Sequence, residues 1–189
     1  MSENKVEFGI SELHIGTYTV NNDGTVTMGT PYHQKGAVSF SPEDQSELTT
    51  FDADNITYWE DYAGGKMQGD FTAAKFDDKF KTDFLGYKKT AQGGLAKVKN
   101  PVRPNVYAAF QVEGDKESRR IIMYNGVIGE IKREYKTLED GKRVPDTESV
   151  PMTFTGDNDS GIVTASYKPD DAGYDDLFTN PPAPELESE

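Results

Sequence analysis

The chain has 189 residues, 34% of them hydrophobic and 11% aromatic, enough for one domain that buries roughly 70% of its unfolded surface. Its formal net charge is −13, with 33 acidic residues against 20 basic ones, a balance that argues against a protein whose main task is to grip nucleic acid through phosphates. It has no cysteine, which excludes disulfides and thiolate metal sites and suits a reducing compartment.

The opening MSENKVEFGISELH contains no apolar stretch of signal-peptide length, and no run of about 20 apolar residues follows. A soluble chain with no membrane partner is expected. Leu13, Ile15 and Thr17 alternate before Asn21-Asn22-Asp23-Gly24, and Val26 and Met28 continue beyond, which predicts a first hairpin turning at Asp23-Gly24. Gly36 to Phe40, Leu48 to Phe51 and Ile56 to Trp59 read as short strands. The stretch 41–68 as a whole reads as a long, acidic, irregular loop with a flexible point at Gly64-Gly65.

One helix is predicted, over about residues 77–86. Asp77 is its N-cap, Asp78 complements the helix dipole and Gly86 stops it. Phe80 and Phe84 at i and i+4, with Leu85, form an apolar face, while Lys79, Lys81 and Asp83 point elsewhere. So short a helix is unstable alone in water, so it must dock on a sheet. Asn105 to Val112 and Ser118 to Tyr124 are two strands joined by the polar loop Glu113-Gly114-Asp115-Lys116-Glu117, a second hairpin. Met152 to Thr155 and Ile162 to Tyr167, flanking the turn from Gly156 to Gly161, suggest a last hairpin. A short helical segment around Tyr174 to Phe178 is plausible from pattern. Pro181-Pro182-Ala183-Pro184 then ends regular structure, leaving 181–189 as a disordered acidic tail after a single domain over 1–180.

Charge is unevenly spread. Gly36 to Gly65 holds seven acids and no base, and Pro169 to Glu189 holds seven more and no base. Lys75 to Arg143 carries 16 of the 20 bases against ten acids, so this middle is net +6 and the remainder −19. A chain so divided can attract copies of itself.

Motifs that carry chemistry are scarce. His14 and His33 are the only histidines, far apart in sequence, and His14 alternates on a strand as an ordinary sheet residue does. No metal, cofactor or catalytic residue is assigned. Gly65-Lys66 lacks both the first glycine and the hydroxyl residue of a phosphate loop. Asp157-Asn158-Asp159-Ser160-Gly161 places its glycine one position early for a calcium loop and lacks the following glutamate, so a turn is expected. The acids offer many carboxylate pairs, but none is marked as buried. Arg119 and Arg120 on a strand would point to opposite faces, serving an intersubunit pair or an ordinary surface charge. Tyr58 and Trp59 also point oppositely, so one ring is expected in the core, contributing about 1.5 to 3 kcal/mol, and another at an interface.

The strand ending in Gly69-Asp70-Phe71, the D-D-x-F-x-x-D-F-L-G-Y helix from Asp77 and the A-F-x-V-E-G-D-K-x-x-R-R hairpin from Ala109, in that order, resemble the major tail protein of long-tailed, non-contractile bacteriophages. The opening hairpin, followed by a proline and the G-A-V strand at Gly36, ADNITYW at Ala53, ESVPMTF at Glu148 and YDDLF at Tyr174 are similar to its other landmarks. The resemblance implies a mainly β fold, a β-sandwich or open β-barrel with one short flanking helix and extended loop and C-terminal arms. It further implies a non-enzymatic virion protein, assembled in the host cytoplasm, whose hexameric rings stack into a tail tube that conducts the genome. Its partners would be itself, the tape measure, tail terminator and distal tail or baseplate proteins, with DNA only transiently in the lumen. The acidic loop 41–68 and the C-terminal segment would be its arms, and Tyr58, Trp59, Tyr62, Leu177 and Phe178 its assembly contacts. The alternatives are a tube subunit of a related contractile injection machine, a β-sandwich module binding carbohydrate or another ligand on exposed aromatic rings, and, least supported, an enzyme.

Overall fold

The computed structural model describes residues 9–53, 56–115, 117–133 and 146–187. In chain order the strands are β1 (Gly9–Val20), β2 (Val26–Met28), β3 (Tyr32–His33), β4 (Ala37–Phe40), β5 (Glu43–Asp44), β6 (Glu47–Ala53), β7 (Ile56–Ala63) and β8 (Met67–Ala73). Helix α1 (Asp78–Asp83) follows, then β9 (Lys88–Lys89), β10 (Leu95–Ala96), β11 (Asn105–Glu113), β12 (Arg120–Ile128), β13 (Lys132–Arg133), β14 (Glu148–Phe154), β15 (Thr164–Tyr167) and a 3₁₀ turn (Asp175–Phe178).

Eleven strands form one antiparallel sheet whose main path runs β2-β1-β11-β12-β14-β8-β4. Phe40 on β4 meets Phe110 on β11 with ring centroids 5.7 Å apart, although four strand steps separate them. The sheet therefore curls over its own core without closing. This is the mainly β, open architecture expected, with one flanking helix.

Period two governs the central strand. On β11, Val106, Ala108, Phe110 and Val112 enter the main core, and Tyr107 and Ala109 enter a second one on the opposite face. α1 closes the first. Asp77 accepts the Phe80 amide at 2.7 Å, Gly86 lies at φ +68°, and Phe76, Phe80, Phe84 and Leu85 are buried, as the cap and spacing predict. Lys81 departs from the expectation, because it is buried along its stem and reaches Asp78 at 3.9 Å.

The first two hairpins form as expected. Tyr18 opposes Met28 across β1 and β2, and Ala109 opposes Ile122 across β11 and β12. The last one does not. β14 and β15 both pair with β12, through Gly126 to Ile128 and Arg120 to Met123 respectively. Between those halves the β11–β12 register shifts, with Asn125 at φ +53°, and a bulge of this kind bends a strand so that each half can take a different neighbour. The loop from Gly156 to Gly161 is the corner between them. Asp157 holds it, accepting from the Ser160 amide at 2.7 Å, the Ser160 hydroxyl at 2.9 Å and the Tyr18 hydroxyl at 2.6 Å. It is a turn, as its spacing indicates, tied to β1.

Two larger corrections concern the arms. The stretch 41–68 is not an irregular loop: the strands expected at Leu48 and Ile56 are parts of β6 and β7, which form a separate two-stranded sheet, and β5 pairs with β8. The C-terminal segment packs on its own sheet, with Tyr174, Leu177, Pro181 and Pro184 buried, so a tail disordered from 181 is not what the chain adopts. Asp54, Lys116 and the last two residues of the acidic tail lie outside the described residues.

Candidate assembly surface

The β6–β7 hairpin is built by strand-favouring residues whose apolar side chains have no second layer among the described residues. Glu47 opposes Ala63, Leu48 opposes Tyr62, Phe51 opposes Trp59, and a bulge accommodates Tyr58 before Asp52 meets Thr57. Because paired residues share a face, Leu48 and Tyr62 lie on one side and Phe51 and Trp59 on the other. Both sides are open. Tyr58 is 74% exposed, Tyr62 67% and Trp59 51%, so neither Tyr58 nor Trp59 enters the core of its own subunit. Six of the eleven exposed large apolar side chains among the described residues, Leu48, Phe51, Ile56, Tyr58, Trp59 and Tyr62, stand on this hairpin, which makes it the apolar patch of the surface.

The hairpin is anchored at its root. Glu43 and Asp44 of β5 pair with Gln68 and Met67 of β8, and the Gln45 amide donates to the Lys66 carbonyl at 2.9 Å. Gly65, at φ +119°, supplies the backbone conformation at the join of β7 and β8, where the antiparallel ladder slips by one residue between Asp44–Met67 and Glu47–Ala63. Glu47, Asp52, Glu60 and Asp61 ring the apolar side chains with negative charge. The arm is thus amphipathic on both faces.

Much of the basic middle is neutralised within the subunit. Lys97 pairs with Glu130 at 2.6 Å, Arg119 with Asp115 at 2.6 Å, Lys132 with Asp70 at 3.1 Å and Arg133 with Glu148 at 2.8 Å, and Arg103 also contacts Glu130. Lys88, Lys89 and Lys99, on and beside the small β9–β10 ribbon, stand exposed.

The two C-terminal contact residues are engaged inside the subunit. Leu177 is fully buried in the second core with Tyr18, Tyr107, Ile122 and Tyr124. Phe178 stacks on His14 at 4.7 Å and lies under the Arg120 guanidinium, 4.5 Å away. Arg120 also covers the Tyr174 ring at 3.9 Å and donates to the Tyr174 carbonyl at 2.6 Å, so it clamps the C-terminal segment. Sequence reading missed this because apolar residues beside prolines look the same whether they cover their own sheet or another's.

Histidine placement also differs from the reading of two isolated residues. β1 pairs with β3 so that His14 faces His33, and their rings stack at 4.7 Å. Burial lowers the His14 pKa from its ordinary value, and the His33 beside it acts in the same direction.

The described residues thus form a curled β-sheet body with a protruding acidic, aromatic hairpin, and no helix among them is long and apolar enough to cross a membrane. Residues 2–159 match the sequence profile of a family described as phage tail tube protein, and the chain belongs to that family. It is accordingly a structural component of a phage tail. No curated protein matches it. Two solved structures are similar in outline. One is the tube-terminating cap of the anti-feeding prophage, 6% identical, with a TM-score of 0.49 over 88% of this chain and 96% of that one. The other is the sheath/tube terminator of PVC, an extracellular contractile injection system, in its extended state, 6% identical, with a TM-score of 0.48 over 86% of this chain and 99% of that one.

Proposed function

We propose that this protein is the repeating subunit of a phage tail tube, forming hexameric rings that stack around a channel for the genome. The observation that carries the reading is the family match over residues 2–159, joined to a hairpin arm that exposes six large apolar side chains with nothing among the described residues to cover them. An isolated two-stranded ribbon is marginal in water, so a second subunit is the natural cover for it. Tyr58, Trp59 and Tyr62 are the contacts that place most of the binding energy there, in keeping with the energetic weight of aromatic anchors at interfaces. The acids around them favour a landing site near the exposed Lys88, Lys89 and Lys99 of a neighbour, where charge would steer docking.

The net charge of −13 fits a conduit. Duplex DNA carries about one negative charge per 1.7 Å, so a basic lumen would hold it, whereas an acidic or neutral one lets it pass. The assembled protein does no chemistry. Its partners are further copies of itself and, at the two ends and inside the tube, terminator, distal tail or baseplate, and tape measure proteins, with assembly in the host cytoplasm before the tail joins the virion.

Electron microscopy of the purified protein after concentration tests the reading. Rings or tubes support it, and a uniform monomer at all concentrations overturns it. The carbohydrate-binding alternative has one observation in its favour, four exposed aromatic residues on one ribbon, Phe51, Tyr58, Trp59 and Tyr62. Phe51 and Trp59 share one face and Tyr62 stands on the other, so the rings are divided between two sides rather than gathered on one platform. The arm's geometry suits insertion between two surfaces.

A further inference from the structure

We propose that Glu12, His14 and His33 form a binding site for a first-row divalent transition metal, of which zinc is the type. Their ligand atoms, one carboxylate oxygen and two imidazole nitrogens, all lie within 4.8 Å of one another. This is a donor set that suits zinc, cobalt, nickel and copper and is poorly suited to calcium or magnesium, which take oxygen ligands.

The backbone brings the three together. Pairing of β1 with β3 sets His14 directly opposite His33, so both rings leave the sheet on one side. The β1–β11 register shifts between Ser11 and His14, with Glu12 at φ +51°. That kink carries the Glu12 carboxylate to the His33 ring, its Oε2 3.9 Å from Nε2. A non-glycine residue in the left-handed region is uncommon and is often found where a strand re-aims a side chain.

The tautomer is suited as well. His14 Nδ1 is 2.7 Å from the Glu12 carbonyl oxygen, and a ring nitrogen facing a carbonyl must carry the proton and donate it. Nε2 of His14 is then the bare nitrogen, and an imidazole whose other N–H is held by a backbone carbonyl is the usual form of a metal-ligating histidine. Phe178 on the far face of His14, itself under Arg120, holds that ring in place. His33 and Glu12 are exposed and free to adjust. With metal–ligand bonds of about 2.1 Å, neighbouring ligand atoms sit roughly 3 to 3.4 Å apart, and near-parallel stacked rings do not aim their in-plane lone pairs at one point, so closing on an ion asks His33 to turn out of its stack on His14 while Glu12 follows.

The rival explanation for any zinc uptake is loose attraction to the 33 acids of the chain. Calorimetric titration of the metal-stripped full chain with zinc, in excess calcium, separates the two. One saturable equivalent per chain that calcium does not displace is expected, and it should weaken at least about tenfold in His33→Ala and in Glu12→Gln, since loss of even an outer-shell partner costs that much. Both substitutions are at exposed positions, and circular dichroism confirms that each variant folds. Cobalt in place of zinc should give a visible d–d absorption band that the same two variants lose. Uptake that calcium abolishes, or that is unchanged in His33→Ala, overturns the site, as does the lack of any saturable binding.

Discussion

The β1-β11-β12 region and the β6–β7 arm are made of similar residues and end in opposite conditions. β11 and β12 bury Val106, Tyr107, Ala108, Phe110, Ile122, Met123 and Tyr124, because one face meets α1 and the curled sheet and the other meets the C-terminal segment. The arm leaves Phe51, Tyr58, Trp59 and Tyr62 in solvent because it pairs only with itself. Apolar content makes a strand in both places. Only the number of covering layers decides whether the strand is part of a core or half of an interface.

The sharpest way to break that contrast is to truncate one ring in each region. Phe154→Ala, in the main core, should cost about 3 to 5 kcal/mol in denaturant unfolding, whereas Trp59→Ala should leave the unfolding midpoint of the monomer within about 0.5 kcal/mol and abolish ring or tube formation in light scattering. Equal loss of stability in both would show that the arm is part of the fold. Phe178→Ala belongs with the core in this scheme: it should lower stability and loosen the C-terminal segment before it touches assembly.

A second comparison sets Asp157 against the arm acids. Burial pushes the Asp157 carboxyl up, but hydrogen bonds from Ser160, Tyr18 and Asp159 outweigh it, and the net pKa is below the ordinary value. The bonds therefore stabilise the fold fully above about pH 4, where an unfolded aspartate is ionised, and that contribution is lost as pH falls through the lower, folded value. Asp157→Asn should lose roughly 1.5 to 3 kcal/mol at neutral pH and show a flatter acid limb in unfolding followed against pH. An acid limb as steep as the parent's would show that Asp157 is not the group responsible.

Asp77→Ala removes the α1 cap and a partner of the Tyr32 hydroxyl, and a loss of about 1 kcal/mol is expected by chemical denaturation. Smallest of all should be the charge effect at the arm. Glu60→Gln with Asp61→Asn should leave folding unchanged, slow polymerisation a few-fold at low salt, and converge on the parent as ionic strength shortens the screening length to about 8 to 10 Å. Persistence of the difference in high salt would mean that the acids make direct contacts.

Much of this fold was legible. The Asp77 cap, the Phe80 and Phe84 spacing, Gly86, the Asp23-Gly24 turn and the second hairpin all state local chemistry, and local chemistry decided them. Within 41–68 the strands at Leu48 and Ile56 were legible and are parts of β6 and β7, whereas their length and their joining into one anchored hairpin were not, because acids and glycines interrupt the apolar pattern between them. β14 and β15 looked like a hairpin because nothing in their own residues reveals that the bulge at Asn125 lends β12 to both. The stacked histidines were invisible for a related reason: β3 is two residues long, and its register against β1 is set by the whole sheet. The family resemblance was legible through the order of several weak landmarks, whereas the contact residues divided: the three on the arm are exposed, and Leu177 and Phe178 are covered by their own sheet.

The pairing of β1 with β11 bears on how the molecule is made as well as how it stands. The centre of the sheet joins Ile15 to Ala108 across about half of the chain, and contacts of such separation close slowly, while the β6–β7 ribbon joins near neighbours and forms fast. During refolding the adhesive arm therefore forms transiently, marginal as it is alone, before the body that should carry it. Off-pathway association through Phe51 and Trp59 competes with sheet closure at that stage, so refolding yield should fall as protein concentration rises, and Trp59→Ala, which gives up the tube, should recover it.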